Sequence, residues 1–123
     1  MRSLLIAAVT VCVVLSGCCG NEGSYESASP DGQWKYVSFE RNCGATTSNN
    51  LQISVLPASK RLANGAGNAF IADYNHEATS FTPKAEWLSA RRLQITYSAK
   101  GRVFKKELKV GPIDISYVEL NNR

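Results

Sequence analysis

Residues 92–99 read RLQITYSA. Leu93, Ile95, Tyr97 and Ala99 alternate with Arg92, Gln94, Thr96 and Ser98. Side chains change face at every residue of a strand, whereas a helix repeats every 3.6 residues. The octet therefore predicts a β-strand with one buried face and one wet face. The flanks extend that reading. Upstream, Glu86-Trp87-Leu88 is expected as a short partner strand, turned by Ser89 to Arg91. Downstream, Lys100-Gly101 is placed as a hairpin turn in which glycine accepts φ > 0, and Arg102 to Val110 (RVFKKELKV) returns as the next strand. Gly111-Pro112 breaks it, and Ile113, Ile115 and Tyr117 alternate in a last strand.

Towards the N-terminus the pattern continues. Leu51, Ile53 and Val55 alternate with Gln52 and Ser54 and stop at Pro57, as a half-buried strand would. Asn68 to Tyr74 (NAFIADY) is a short strand, set off by the small-residue loop 58–67. In Gln33 to Arg41 (QWKYVSFER), Trp34 and Tyr36 point one way, and Val37 and Phe39 the other. Both faces are partly apolar, so this strand is expected to pack on two sides, with both tryptophans as core residues. Ser29-Pro30-Asp31-Gly32 is a turn with a mechanism: proline presets φ, aspartate bonds the local backbone, glycine accepts positive φ. About seven strands and no helix predict an all-β domain over 30–123. Its antiparallel sheet would fold on itself as a small sandwich or a partly open barrel.

The beginning of the chain has another character. Arg2 precedes an uncharged run, Leu4 to Leu15 (LLIAAVTVCVVL), and the small residues Ser16 and Gly17 follow. As a helix the run rises only about 18 Å, short of the roughly 30 Å of a hydrocarbon core. This is the build of a secretory signal peptide over 1–17. Leu15-Ser16-Gly17-Cys18 resembles the lipobox of bacterial lipoproteins. The resemblance implies cleavage before Cys18, a diacylglyceryl thioether on its sulfur and an acylated new amino group. Several acyl chains make membrane residence stable. Residues 18–29 (CCGNEGSYESAS), small and polar, are then expected as a flexible tether holding the domain roughly 19 Å off the bilayer. The implied location is the cell envelope. Position 19 is not Asp, so in a Gram-negative cell the resemblance points to the periplasmic face of the outer membrane.

Charge excludes little by itself. The net charge of +4 falls to +3 once Arg2 leaves with the leader. Such a mild excess does not call for nucleic acid, and export disfavours it further. Arg91, Arg92, Lys100, Arg102, Lys105 and Lys109 form a candidate patch towards anionic headgroups or an anionic envelope polymer. The competing and preferred reading is an edge strand guarded by lysines. In that strand Val103, Lys105, Glu107 and Lys109 would share the wet face, and Phe104, Lys106, Leu108 and Val110 the apolar one.

Catalytic signatures are sparse. The chain has no G-x-S-x-G, S-x-x-K, C-x-x-C or H-E-x-x-H, and one histidine, His76. No metal or cofactor is expected. A thiol enzyme using Cys43 with His76, oriented by Asp73 or Glu77, is a minor alternative. An inhibitor of an exported hydrolase is another; the leading expectation is a non-enzymatic binding or structural domain. With Cys12 cleaved off and Cys18 lipidated, Cys19 and Cys43 remain as a pair in a compartment where disulfides persist. A Cys19–Cys43 bridge would need residues 19–30 almost fully extended along the first strand and would draw the domain onto the membrane. It ranks behind a buried or loop thiol at Cys43.

Ser29-Pro30-Asp31-Gly32-Gln33-Trp34, the stretch from Phe39 to Thr47 (FERNCGATT), Ile53 to Pro57 (ISVLP), Phe70 to Asp73 (FIAD), Trp87-Leu88 and Arg102 to Glu107 (RVFKKE) are also similar to a family of small bacterial lipoproteins. The resemblance covers most of 29–117. It implies a β-rich domain and an envelope location, and no activity.

Overall fold

Ser29 and Gly32 close the SPDG turn through a Gly32 N–H to Ser29 carbonyl bond of 2.8 Å, with Gly32 at φ 73°. The Asp31 Oδ1 atom accepts from the Gln33 N–H at 3.0 Å and from the Ser29 hydroxyl at 2.8 Å. The turn therefore forms by the chemistry its residues supply. It launches a long strand across a computed structural model that describes residues 19–44, 50–73 and 81–121.

Among the described residues there are nine strands and no helix. They are β1 (Gly20–Ala28), β2 (Trp34–Asn42), β3 (Asn50–Pro57), β4 (Phe70–Asp73), β5 (Lys84–Ser89), β6 (Arg92–Ser98), β7 (Arg102–Lys106), β8 (Lys109–Val110) and β9 (Ile113–Leu120). One sheet has the order β1-β2-β3-β4-β7 and is antiparallel throughout. The other has the order β5-β6-β9-β8, with β6 and β9 parallel. The protein is an all-β sandwich with open sheets.

The core lies between the sheets. Tyr36, Leu51, Ile53, Val55, Phe70 and Ala72 from the first sheet meet Leu93, Ile95, Tyr97, Ile113 and Ile115 from the second, all buried. Trp34 and Trp87 pack against this cluster partly buried. Val37 and Phe39 are also buried but belong to the opposite face of β2. That outer face lies under the segment after Pro57. Asn68 bonds the Val55 backbone in both directions, Gly67 N–H donates to Gln52 Oε1 at 2.8 Å, and Asn68 N–H donates to the Ser54 hydroxyl. Gln52 and Ser54 are consequently buried, so β3 is covered on both faces rather than half-buried.

Three further expectations are corrected. Residues 20–28, expected within a flexible tether, form β1. The polar sequence GNEGSYESA has no apolar alternation to announce a strand; its backbone groups pair with β2 from Gly20↔Asn42 to Ala28↔Lys35. The pairing breaks step once, between Glu22 and Tyr25, where Gly23 has φ 60°.

Lys100-Gly101 is not a hairpin turn within one sheet. After β6 the chain leaves for the edge of the first sheet as β7, and it returns through β8 to place β9 parallel to β6. A parallel pair requires such a crossover. Gly101 has no positive φ; it is needed because a Cβ there would lie 2.6 Å from the Asp73 carbonyl oxygen.

The Arg102–Val110 strand is also split, and its faces are redistributed. Ala72 pairs with Val103 but Ile71 pairs with Lys105, so Phe104 is an extra, bulged residue. A bulge sets two residues against one and shifts the alternation beyond it. Val103 and Lys106 therefore both reach the core side, while Phe104 is 57% exposed.

Candidate functional site

The pairing of β1 with β2 determines what happens at the first described residue. Gly20 opposes Asn42, so Cys19 falls beside Cys43, and the two are joined by a disulfide with a Cα–Cα distance of 4.0 Å. Cys18, its predicted lipidation site, lies outside the described residues but is the next residue in the chain. Strand directions place the tip of β2, the starts of β3, β5 and β7, and the ends of β4, β6 and β9 at one end of the sandwich, the Cys43 end. The opposite end carries the SPDG turn, Pro57, the β5–β6 turn and the β8–β9 turn. There a Cβ on Gly111 would touch the Trp34 ring at 3.0 Å, so the two sheets share this Asp31 end.

The expected basic patch is not brought together. Arg91, Arg92 and Lys109 sit at the Asp31 end; Lys100 and Arg102 sit at the Cys43 end. Arg91 is held by Asp31 at 2.9 Å and Lys109 by Asp114 at 3.1 Å. Lys105 reaches over the outer face to the Gly67 carbonyl at 3.2 Å. Arg102 lies over the Phe104 ring at 5.7 Å. Residues close in sequence were distributed because the chain changes sheets twice between Arg92 and Ile113.

The thiol reading loses its nucleophile in this state: Cys43 is a disulfide partner and has no thiolate. His76 and Glu77 lie outside the described residues, and Asp73 ends β4. Among the described residues no group of three or more His, Cys, Asp or Glu gathers at metal-binding distance. Among them, too, no helix is long and apolar enough to cross a membrane.

One cluster was not anticipated. Phe70, Tyr97 and Tyr117 pack with ring centroids 5.6, 5.9 and 6.2 Å apart. The Lys106 ammonium stands 5.4 Å from the Tyr97 centroid and 5.1 Å from that of Tyr117, and it donates to the Tyr97 hydroxyl at 3.1 Å. Burial, with the negative charge of Glu107 nearby, pushes the Tyr117 hydroxyl far above its ordinary 10.0. Tyr117 thus stays neutral and donates to the Glu107 carbonyl. Alternation in β6 and β9 places the two tyrosines inward, and alternation along Arg102–Val110 puts Lys106 on the same side; the bulge at Phe104 turns that phenylalanine away and leaves the lysine facing the rings. A cation over two rings here ties β7 to the second sheet.

The other lateral side is closed by single bonds. The Trp87 indole N–H donates to the Ser27 carbonyl at 3.0 Å, and the Tyr36 hydroxyl to the Ala85 carbonyl at 3.1 Å. On the outer face, β1 and the segment over β3 border a cleft of about 420 Å³ lined by Asn21, Ser24, Glu26, Arg61, Leu62 and Asn64, among others. Compared with protein-family models, curated proteins and solved structures, the chain finds no match.

Proposed function

We propose that the chain is a lipid-anchored protein of the cell envelope, held by Cys18, whose sandwich is a binding or structural domain rather than an enzyme. The observation that carries this reading is the Cys19–Cys43 disulfide. Disulfides persist in exported compartments and are rare in a reducing cytosol. The bridge also ties up the one cysteine that a thiol mechanism would use, and it fixes the residue beside the predicted lipid site to the end of a packed strand. The proposed partner is an envelope protein, since the basic positions on which an anionic-polymer reading stood are dispersed over both ends of the sandwich; on export the outer membrane is the expected address in a Gram-negative cell.

The test begins with the anchor. Mass spectrometry of the N-terminal peptide should find a diacylglyceryl adduct on Cys18, and Cys18→Ala should move the protein from the membrane fraction to the soluble one. An unmodified Cys18 would overturn the anchoring. Co-purification from solubilised envelope should enrich a partner above a control carrying the same leader and lipid on an unrelated domain. Enrichment no greater than that control would remove the binding role.

A further inference from the structure

We infer that the Cys43 end of the sandwich lies directly on the lipid surface, so that the domain stands end-on with its Asp31 end facing away. The inference rests on lipidation of Cys18 as proposed above. A flexible segment of twelve residues would hold a domain about 19 Å from the bilayer and leave it free to tumble. The structure leaves no such segment. Cys19 is bonded to Cys43, β1 is paired from Gly20 onward, and one peptide step of about 3.8 Å separates a Cys18 Cα from that of Cys19. The lipid-bearing residue is therefore attached to the tip of β2.

The residues sharing this end include Lys84 at the start of β5, Lys100 just after β6 and Arg102 at the start of β7. They also include Glu22, Glu40 and Asp73 on β1, β2 and β4. Both signs are present, so headgroup contact here follows from chain length and does not depend on anionic lipid. At about 3.3 Å per residue the nine residues of β2 carry the Asp31 end about 26 Å outward. Lys60 and Lys109 sit at that outer end. Lys60, Lys84, Lys100 and Lys109 are all exposed in the isolated domain, which makes them matched reporters.

The lipidated protein is reconstituted into phosphatidylcholine vesicles and pulsed with a water-soluble amine acylating reagent. Labelling of each lysine is read by mass spectrometry against the Cys18→Ala protein in solution. Lys84 and Lys100 should label severalfold more slowly on vesicles, while Lys60 and Lys109 label at their solution rates. A second protein carries about fifteen Gly and Ser residues between Cys18 and Cys19, a spacer of roughly 20 Å; in it the protection should vanish. Equal labelling at both ends, or protection that survives the spacer, overturns the orientation while leaving the anchor intact. A Cys18 peptide without its lipid mass overturns the anchoring and the orientation together.

Discussion

Gly67 shows how one missing carbon shapes the covered side of the first sheet. A Cβ at this position would sit 2.9 Å from the Ile53 carbonyl oxygen and 3.0 Å from the Ile53 nitrogen. Both are backbone atoms of a central strand and cannot turn aside. Gly67→Ala should lower unfolding free energy by about 1–3 kcal/mol. Gly65→Ala, where nothing lies within 4 Å, should change it by less than about 0.5 kcal/mol. Urea unfolding of the pair checks this. Asp31 supplies a pH-dependent counterpart. The Gln33 N–H, then the Ser29 hydroxyl and, more weakly, Arg91 hold its carboxyl below the ordinary 3.8. A carboxyl depressed in the folded state adds stability that is present above 3.8 and lost as pH falls through the lower folded value. Asp31→Asn should therefore flatten the acid limb of the stability curve, seen as a smaller drop in melting temperature between neutral pH and strong acid.

Among elements, β1 depends most on covalent help. It is an edge strand with an irregular register and no apolar alternation. The disulfide closes a 24-residue separation, for which the chain-entropy account gives about 3 kcal/mol. The Cys19→Ser, Cys43→Ser double variant should lose about that much, and amide exchange should accelerate in β1 while β3 and β6 keep their protection. This strand also marks where the sequence was hardest to read. β6 was legible because every inward residue from Leu93 to Tyr97 is large and apolar while its outward ones are polar. β1 was not, since its partner's tip and a cysteine 24 residues away hold it. The polar residues of β3 pointed to solvent until the segment around Gly67 covered them. At β7 a bulge turned Phe104 outward and Val103 inward, reversing the faces that simple alternation assigns them, while Lys106 keeps the inward side. The candidate basic positions scattered for a related reason: alternation tells which face of a strand a residue occupies, not which sheet that strand joins.

For the molecule as a whole, stability rests on the cluster where both sheets meet. Phe70 is fully buried and touches the rings of Tyr97 and Tyr117 across the sandwich. Phe70→Ala should cost about 3–5 kcal/mol, a large part of the 5–15 kcal/mol typical of a domain, and should be measurable as a fall in the urea midpoint. Lys106→Met should cost about 1 kcal/mol by removing the cation from over the two tyrosines while retaining its aliphatic length. The position of β9 has a temporal consequence. It is the last in chain order of the nine strands among the described residues, yet it lies between β6 and β8, and every residue of β6 from Arg92 to Ser98 pairs with it. As the chain emerges from a ribosome or an export channel, β1 to β4 can assemble from neighbours already made, whereas β6 has no partner but β5 until residue 120 is out. The second half of the sandwich is thus withheld until residue 120 has emerged, and until then the apolar side of β6 is available to chaperones.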